Sequence, residues 1–400
     1  MSHRALKFSS ALTISYIALM AFAMTSPAQA DDCLLDTNDD GNADTNVDTD
    51  GGADSSGIDE RLACGVGASA TGSFGTAVGA GSQATGSEAS AFGNNAEASG
   101  TDATAIGSDS LASGNDSTAV GEFAQATANQ ATALGDSAIA SGVDATAIGE
   151  SADALADAAI ALGADANAIA ASAISIGAQS DATTAGAIAI GGDSGDADAL
   201  GAQATGIDST AIGADAVASA TESTAIGNGA IASNSRTVAI GTRAAATGVG
   251  SIAIGDDAVA STNGAYAIGE NSQATGFLSI AYGLLSESTA ERSIAIGVQA
   301  SATGIRSIGF GDIADSSGTD SIAIGSATDA TMTGAIAIGG DGTDGDALGA
   351  QAIGEDSIAI GRDSTANSFS SIAIGEDSNA NNNAIAMAGS RTRPQHPASL

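Results

Sequence analysis

Apolar residues in this chain do not recur at helical spacing; they recur as a short phrase. Its clearest copies are Ser251-Ile252-Ala253-Ile254-Gly255, Ser293-Ile294-Ala295-Ile296-Gly297, Ser321-Ile322-Ala323-Ile324-Gly325 and Ser371-Ile372-Ala373-Ile374-Gly375. The closing glycines run from Gly65 through Gly79 and Gly93 to Gly191, from Gly213 to Gly339, and from Gly361 through Gly375 to Gly389. Every step is fourteen residues except two of twenty-two, Gly191 to Gly213 and Gly339 to Gly361. A period held over most of a chain is the mark of a stacked repeat architecture.

One unit holds two alternating stretches. Just before the glycine stands Ile, Val, Leu, Phe or Tyr, and before that nearly always Ala, with Ser175 and Gly309 among the exceptions. Three residues after the glycine comes Ala, Ser or Thr, as at Ala216, Ala258 and Ala300; five after comes Ala, as at Ala140, Ala218 and Ala260. Alternation at period two predicts two short strands per coil, joined by turns. Isoleucine and alanine together are expected to fill the coil. Helix is disfavoured, because glycine closes each unit and often stands at the half-period too, as at Gly86, Gly248 and Gly304. The prediction is an all-β parallel roll, a solenoid of about 23 fourteen-residue coils over residues 62–389. The two long steps are matching insertions near 192–206 and 340–354, expected as protruding loops. Their aspartates (Asp193, Asp196, Asp198, Asp341, Asp344 and Asp346) read first as solvated turns and second as cation ligands.

Composition agrees with a thin core. Aromatics make up 3% of residues and there is no tryptophan, which a solenoid tolerates and a globular core of this length does not. Lys and Arg number 10 against 47 Asp and Glu, for a formal net charge of −37. Such a surface repels phosphate, so nucleic acid is not an expected partner. Residues 1–30 read as a signal peptide: Arg4 and Lys7, an apolar run from Ala11 to Met24, and a small-residue site at Ala28-Gln29-Ala30 with cleavage after Ala30. The expected product is secreted or held at the cell surface, with no membrane span in the mature chain.

Residues 31–61 are rich in aspartate. Asp36, Asn38, Asp40 and Asp44, then Asn46, Asp48, Asp50 and Asp54, set oxygen side chains at alternate positions around Gly41 and Gly51. Hard oxygens at that spacing suit calcium, the one expected cofactor. The bidentate glutamate of an EF-hand loop is absent, and an acidic spacer is the other reading. Cys33 and Cys64 bracket the segment and are the only cysteines. In an exported chain they are expected to form a disulfide, with free thiols or a bridge to another chain as the alternatives. No catalytic group emerges: His3 and His396 lie at the two ends, and carboxylates such as Asp102, Asp116, Asp144, Asp208 and Asp320 fall in turns. A threonine ladder (Thr76, Thr104, Thr118, Thr132 and Thr146) gives way to isoleucine at Ile160, Ile174 and Ile188. It reads as one strand face and a candidate seam between chains. An ice-binding array is the less favoured reading. Arg236, Arg292 and Arg306 line one flank, where they could pair across chains or meet a ligand.

The S-x-A-I-G phrase, with Ala or Ser three residues on and Ala five on, resembles the head repeats of YadA-like trimeric autotransporter adhesins. The tandem aspartate segment resembles thrombospondin type 3 calcium repeats. The first resemblance implies a left-handed β-roll, a homotrimer, and attachment to a host extracellular matrix or cell-surface ligand. A calcium-dependent extracellular matrix component is the alternative. The neck, stalk and barrel of that family are not found after Gly389, where residues 390–400 read as a disordered tail; release, attachment through a partner or a truncated reading frame are the three expectations.

Overall fold

A computed structural model describes residues 51–58, 60–195, 200–341 and 348–387 of the chain. The signal segment, most of the aspartate segment and the tail lie outside these residues. The chain divides into two units, Met1–Ala158 and Ala159–Leu400. All regular structure among the described residues is β-strand.

In the first unit, seven three-residue strands run from Leu62–Cys64 to Thr146–Ile148, alternating with seven two-residue strands from Ser69–Ala70 to Asp153–Ala154. Long strands pair only with long strands and short with short, all parallel and fourteen residues apart, as in Thr118 with Thr132 and Gln125 with Ile139. The second unit repeats the scheme with sixteen long strands, Ile160–Leu162 to Ile385–Met387, and fifteen short ones, Asn167–Ala168 to Asn379–Ala380. The fold is therefore the expected all-β parallel solenoid, with about 23 turns counted over the two units.

At both insertions the ladder closes as if nothing intervened. Ile188 pairs with Thr210 and Ile336 with Ile358, twenty-two residues apart. The first insertion rejoins through Gly201 N–H to Gln179 O at 2.9 Å and Ala202 N–H to Gly191 O at 2.9 Å.

The core departs from expectation in one respect: alanine fills it, with serine or threonine at some places, and isoleucine stays out. Ala253, Ala258 and Ala260 have no exposure, and Ser251 is buried beside them. In the long strand only the middle residue points inward. Its neighbours face out, so Ile254 and Ile324 are 36% and 37% exposed. The largest fully buried side chains are Thr237 and Thr328. Many buried hydroxyls bond within their own turn, as Ser82 Oγ donates to Gly79 O at 2.9 Å and Ser272 Oγ to Gly269 O at 2.8 Å, whereas those of Ser209, Ser279, Ser286 and Ser307 are buried without a partner. Where two core alanines become serines, the hydroxyls pair, as in Ser288 with Ser293 and Ser316 with Ser321, each 2.6 Å apart.

The closing glycine answers two demands. Gly255 has φ of +131°, a conformation L-residues rarely adopt, and a Cβ there would lie 2.5 Å from the backbone of Gly269. The half-period glycine is less constrained by type, since Thr262 and Ala290 occupy that place in other coils.

The solenoid starts and stops off the fourteen-residue beat. Asp54 bridges in parallel with Ser69, fifteen residues on, and Ala53 and Ser55 turn inward like core residues. Pairing thus begins before Leu62, inside the segment expected to be a separate acidic module. At the other end Ile372 pairs with Ile385 and Ile374 with Met387, thirteen residues on. The turn through Asn381–Asn383 is therefore one residue short.

Candidate functional site

Three kinds of surface leave the coil, and each belongs to a fixed place in the repeat. The first is the outer face of the long strands. In the second unit the last residue of each long strand runs Leu162, Ile176, Ile190, Ile212, Ile226, Ile240 and onward to Ile360, Ile374 and Met387. Every residue in this row is apolar. The first residue of the same strands adds Ile252, Ile280, Ile294, Ile308, Ile322 and Ile336 in a second row. In the first unit the last-residue row is also apolar after Cys64 (Val78, Phe92, Ile106, Val120, Leu134 and Ile148), whereas the row beside it is the threonine ladder. Apart from Thr210 and Thr224 in the first-residue row, the two adjacent outward rows form an apolar strip in the second unit, the kind of surface that marks an interaction site.

The second surface is the outer residue of each short strand, and it is mixed. In the second unit it includes Gln273, Glu287, Ser301, Asp315, Asp329 and Gln351. Asp315 and Asp329 are register partners. Burial pushes the Asp315 carboxyl up, the hydroxyls of Ser317 and Ser301 partly offsetting this, and Glu287 adds to the rise. Its Oδ1 is buried without a hydrogen-bond partner. Asp329 is raised by burial and then by the charge of Asp315, and Asp153 in the first unit by burial alone. Reading every acid as a turn residue missed these three; their signal was the place five residues before the half-period turn's end, where the short strand begins.

The third surface is the pair of corners, which in the fourteen-residue coils lie two residues after one closing glycine and five before the next, the second also holding for Asp208 beyond the first insertion. Non-glycine residues there adopt left-handed backbone, with φ between 51° and 60° at Asp102, Asp116, Asp144, Asp208, Arg243, Asp257 and Asp320. Asp and Asn accept this conformation more readily than most residues. Their N–H groups still bond the coil before, as in Asp257 N–H to Thr242 O at 2.9 Å. The turn carboxylates are exposed, as expected.

The arginine flank is largely engaged within its own chain. Arg306 grips Asp320 one coil on through Nε and Nη2, each at 2.6 Å, and Arg243 holds Asp257 likewise at 2.7 and 2.6 Å. These forks hold the Asp257 and Asp320 carboxyls below their usual range. Arg292 pairs with Glu291 at 2.8 Å and Arg362 with Glu376. At such exposed sites each pair contributes little to stability.

Of the residues expected to bind calcium, Asp36, Asn38, Asp40, Asp44, Asn46, Asp48 and Asp50 lie outside the described residues. Asp54 is described: it is exposed, and its Oδ1 accepts the Ser56 N–H at 2.7 Å. Among the described residues no group of three or more His, Cys, Asp or Glu is placed to hold a metal ion. Cys64 is not a free thiol; Cys33 lies outside the described residues. Of the insertion aspartates, Asp193 Oδ1 accepts the Gly195 N–H at 2.9 Å, as in a turn, and Asp341 N–H donates to Ser326 O at 3.1 Å. Asp196, Asp198, Asp344 and Asp346 lie outside the described residues. Among the described residues no helix is long and apolar enough to cross a membrane.

No curated protein matches the chain. Among solved structures it is similar to the collagen-binding domain of the Yersinia adhesin YadA, at 24% identity over 50% of this chain and 68% of that one, with a TM-score of 0.14. The repeats themselves decide the family. The model of the YadA head domain repeat matches residues 84–110, 112–138 and 140–166, then 204–272 in overlapping copies, then 288–312, 316–341 and 352–375. These segments make up more than half of the 400 residues, and they follow the coils described above. The chain belongs to the family of YadA head-domain repeats.

Proposed function

We propose that this chain is the head of a secreted or cell-surface bacterial adhesin, working as a homotrimer whose copies meet through their long-strand faces. One observation carries the reading: the last residue of every long strand in the second unit is apolar, yet it points out of the coil. A continuous row of half-exposed isoleucines gains free energy when another apolar surface covers it, and rows of this kind mark interaction sites. Membership in a head-repeat family makes further copies of the chain the natural cover.

With that face closed, the mixed short-strand row and the corners remain for attachment. They present similar chemistry coil after coil, so binding would be spread over many weak contacts. Three copies would add avidity without requiring a deep pocket. Host extracellular matrix is the first ligand class to test, since the similar Yersinia domain is a collagen-binding one. Calcium at Asp36, Asn38, Asp40, Asp44, Asn46, Asp48, Asp50 and Asp54, a Cys33–Cys64 disulfide, and export through cleavage after Ala30 complete the proposal.

Light scattering on the purified mature chain is expected to give three times the chain mass, and a monomer at micromolar concentration would overturn the assembly. Beads coated with the chain should adhere to immobilised matrix proteins or cultured cells; no adherence beyond bare beads would remove the adhesin reading. Titration calorimetry should detect heat with millimolar calcium and none with magnesium.

A further inference from the structure

A solenoid of near-identical coils that assembles side by side faces a difficulty of position. Moving one copy along its neighbour by one coil, about 4.8 Å, lays isoleucine on isoleucine almost everywhere. Register is weakly specified whenever the side chains of a face repeat. Some feature must break the repetition if copies are to align level with one another.

The second unit contains such a feature, confined to a few coils. In the last-residue row, rings replace isoleucine at Tyr282 and Phe310, with Ile296 between them. In the first-residue row, a ring stands at Tyr266, where neighbouring coils have Ile252 and Ile280. Tyr282 and Phe310 are 53% and 52% exposed, against 37% for Ile324 in the same row, so the rings stand proud of the strip. The coil beneath is adapted as well. Gly309 replaces the core alanine directly before Phe310, and a Cβ there would lie 2.7 Å from Ser301 O.

We propose that Tyr266, Tyr282 and Phe310 fix the axial register between copies of this chain. The inference rests on the reading of the long-strand face as the seam. When copies are level, rings meet their counterparts at matching heights and the isoleucine rows close together. A shift of one coil drives Tyr282 and Phe310 against slots shaped for isoleucine. The mismatch holds the strips apart on either side, so contact is lost well beyond the rings themselves. A shift of two coils sets Tyr282 against Phe310 and leaves each ring with one unmatched neighbour. The unequal spacing of the three rings means that only the level arrangement matches all of them.

The test is disulfide capture between copies carrying different single cysteines, in the parent chain and in a variant with Tyr266→Ile, Tyr282→Ile and Phe310→Ile. Copies with Val238→Cys mixed with copies with Ile240→Cys report contact at one level. Copies with Thr210→Cys mixed with copies with Ile240→Cys report a displacement of two coils, a gap of about 9.6 Å that a disulfide cannot span without a shift. In the parent, only the same-level pair is expected to cross-link under mild oxidation. In the triple variant, the scattering mass should stay that of the parent assembly while the two-coil cross-link appears. A triple variant that keeps its assembly and still gives only the same-level cross-link would overturn the register role. If the parent gives no same-level cross-link, or scatters as a monomer, the seam itself is wrong and the register role falls with it.

Discussion

At the scale of single residues, two positions show opposite kinds of constraint. Gly255 is held by the backbone. Its φ of +131° and a Cβ position 2.5 Å from Gly269 leave no room for a side chain. Gly255→Ala is expected to lower stability by at least the 1–3 kcal/mol typical of a strained backbone, seen as a lower melting temperature by circular dichroism. Asp329 is held by its surroundings. Burial and the neighbouring Asp315 raise its pKa in the fold. A carboxyl raised on folding contributes its stability below the unfolded value, near 3.8, and loses that contribution as pH rises through the folded value. At neutral pH the Asp315–Asp329 pair therefore weakens the short-strand ladder. Asp329→Asn should stabilise the chain at pH 7 by roughly 0.2–1 kcal/mol, the range for like charges facing across a ladder. The difference between variant and parent should vanish at pH 3. A variant less stable than the parent at pH 7 would mean that the carboxylate holds a structural contact.

At the scale of the strand, alternation is of size and not of polarity. Ile252, Ala253 and Ile254 are all apolar, yet only Ala253 is inside. The hydrophobic pattern alone therefore reveals that a strand is present and not which way it faces, because both faces read as core. What was legible was the period, the two strands per coil and the place of the insertions, since glycine and its spacing record the backbone turns directly. What was not legible was that isoleucine stays out of the thin interior, nor the half-buried acids on the short strands, nor the off-beat ends at Asp54 and Ile385, which depend on turn geometry and not on composition. The division of faces has a measurable consequence. Ala253→Val adds two methyls where facing sheets touch, and should cost about 1–3 kcal/mol of chain stability through overpacking. Ile254→Thr, one residue on, should leave the unfolding of the single chain nearly unchanged while weakening association between copies. Melting curves read the first effect, and scattering mass across a dilution series reads the second.

At the scale of the whole molecule, the chain behaves as a string of equivalent coils, and its stability should behave so too. Each coil touches only the coils before and after it, through ladders shifted by fourteen residues. Removing one complete coil from the second unit, residues 228–241, brings Gly227 next to Thr242 and lets Thr224 face Ile252 in the place of Val238. Every remaining alanine still points inward and every corner keeps its left-handed residue. The excised chain is therefore expected to fold, with the circular dichroism per residue of the parent and a small fall in melting temperature, as nearest-neighbour stacking requires. Removing thirteen residues, 229–241, is a different operation. It keeps Asn228 and places Thr242 after it, so the next corner must absorb an extra residue. The bridge from Asp54 to Ser69 shows that a step of fifteen can be absorbed, but there it lies ahead of the regular coils that begin at Leu62. Inside the unit the mismatched corner has regular coils on both sides, and its N–H groups would lose partners of the kind Arg243 N–H finds in Asn228 O at 2.9 Å. The thirteen-residue deletion should therefore melt well below the fourteen-residue one, although it removes less of the chain. Equal melting of the two would mean that single corners, and not the repeat as a unit, carry the stability of the solenoid.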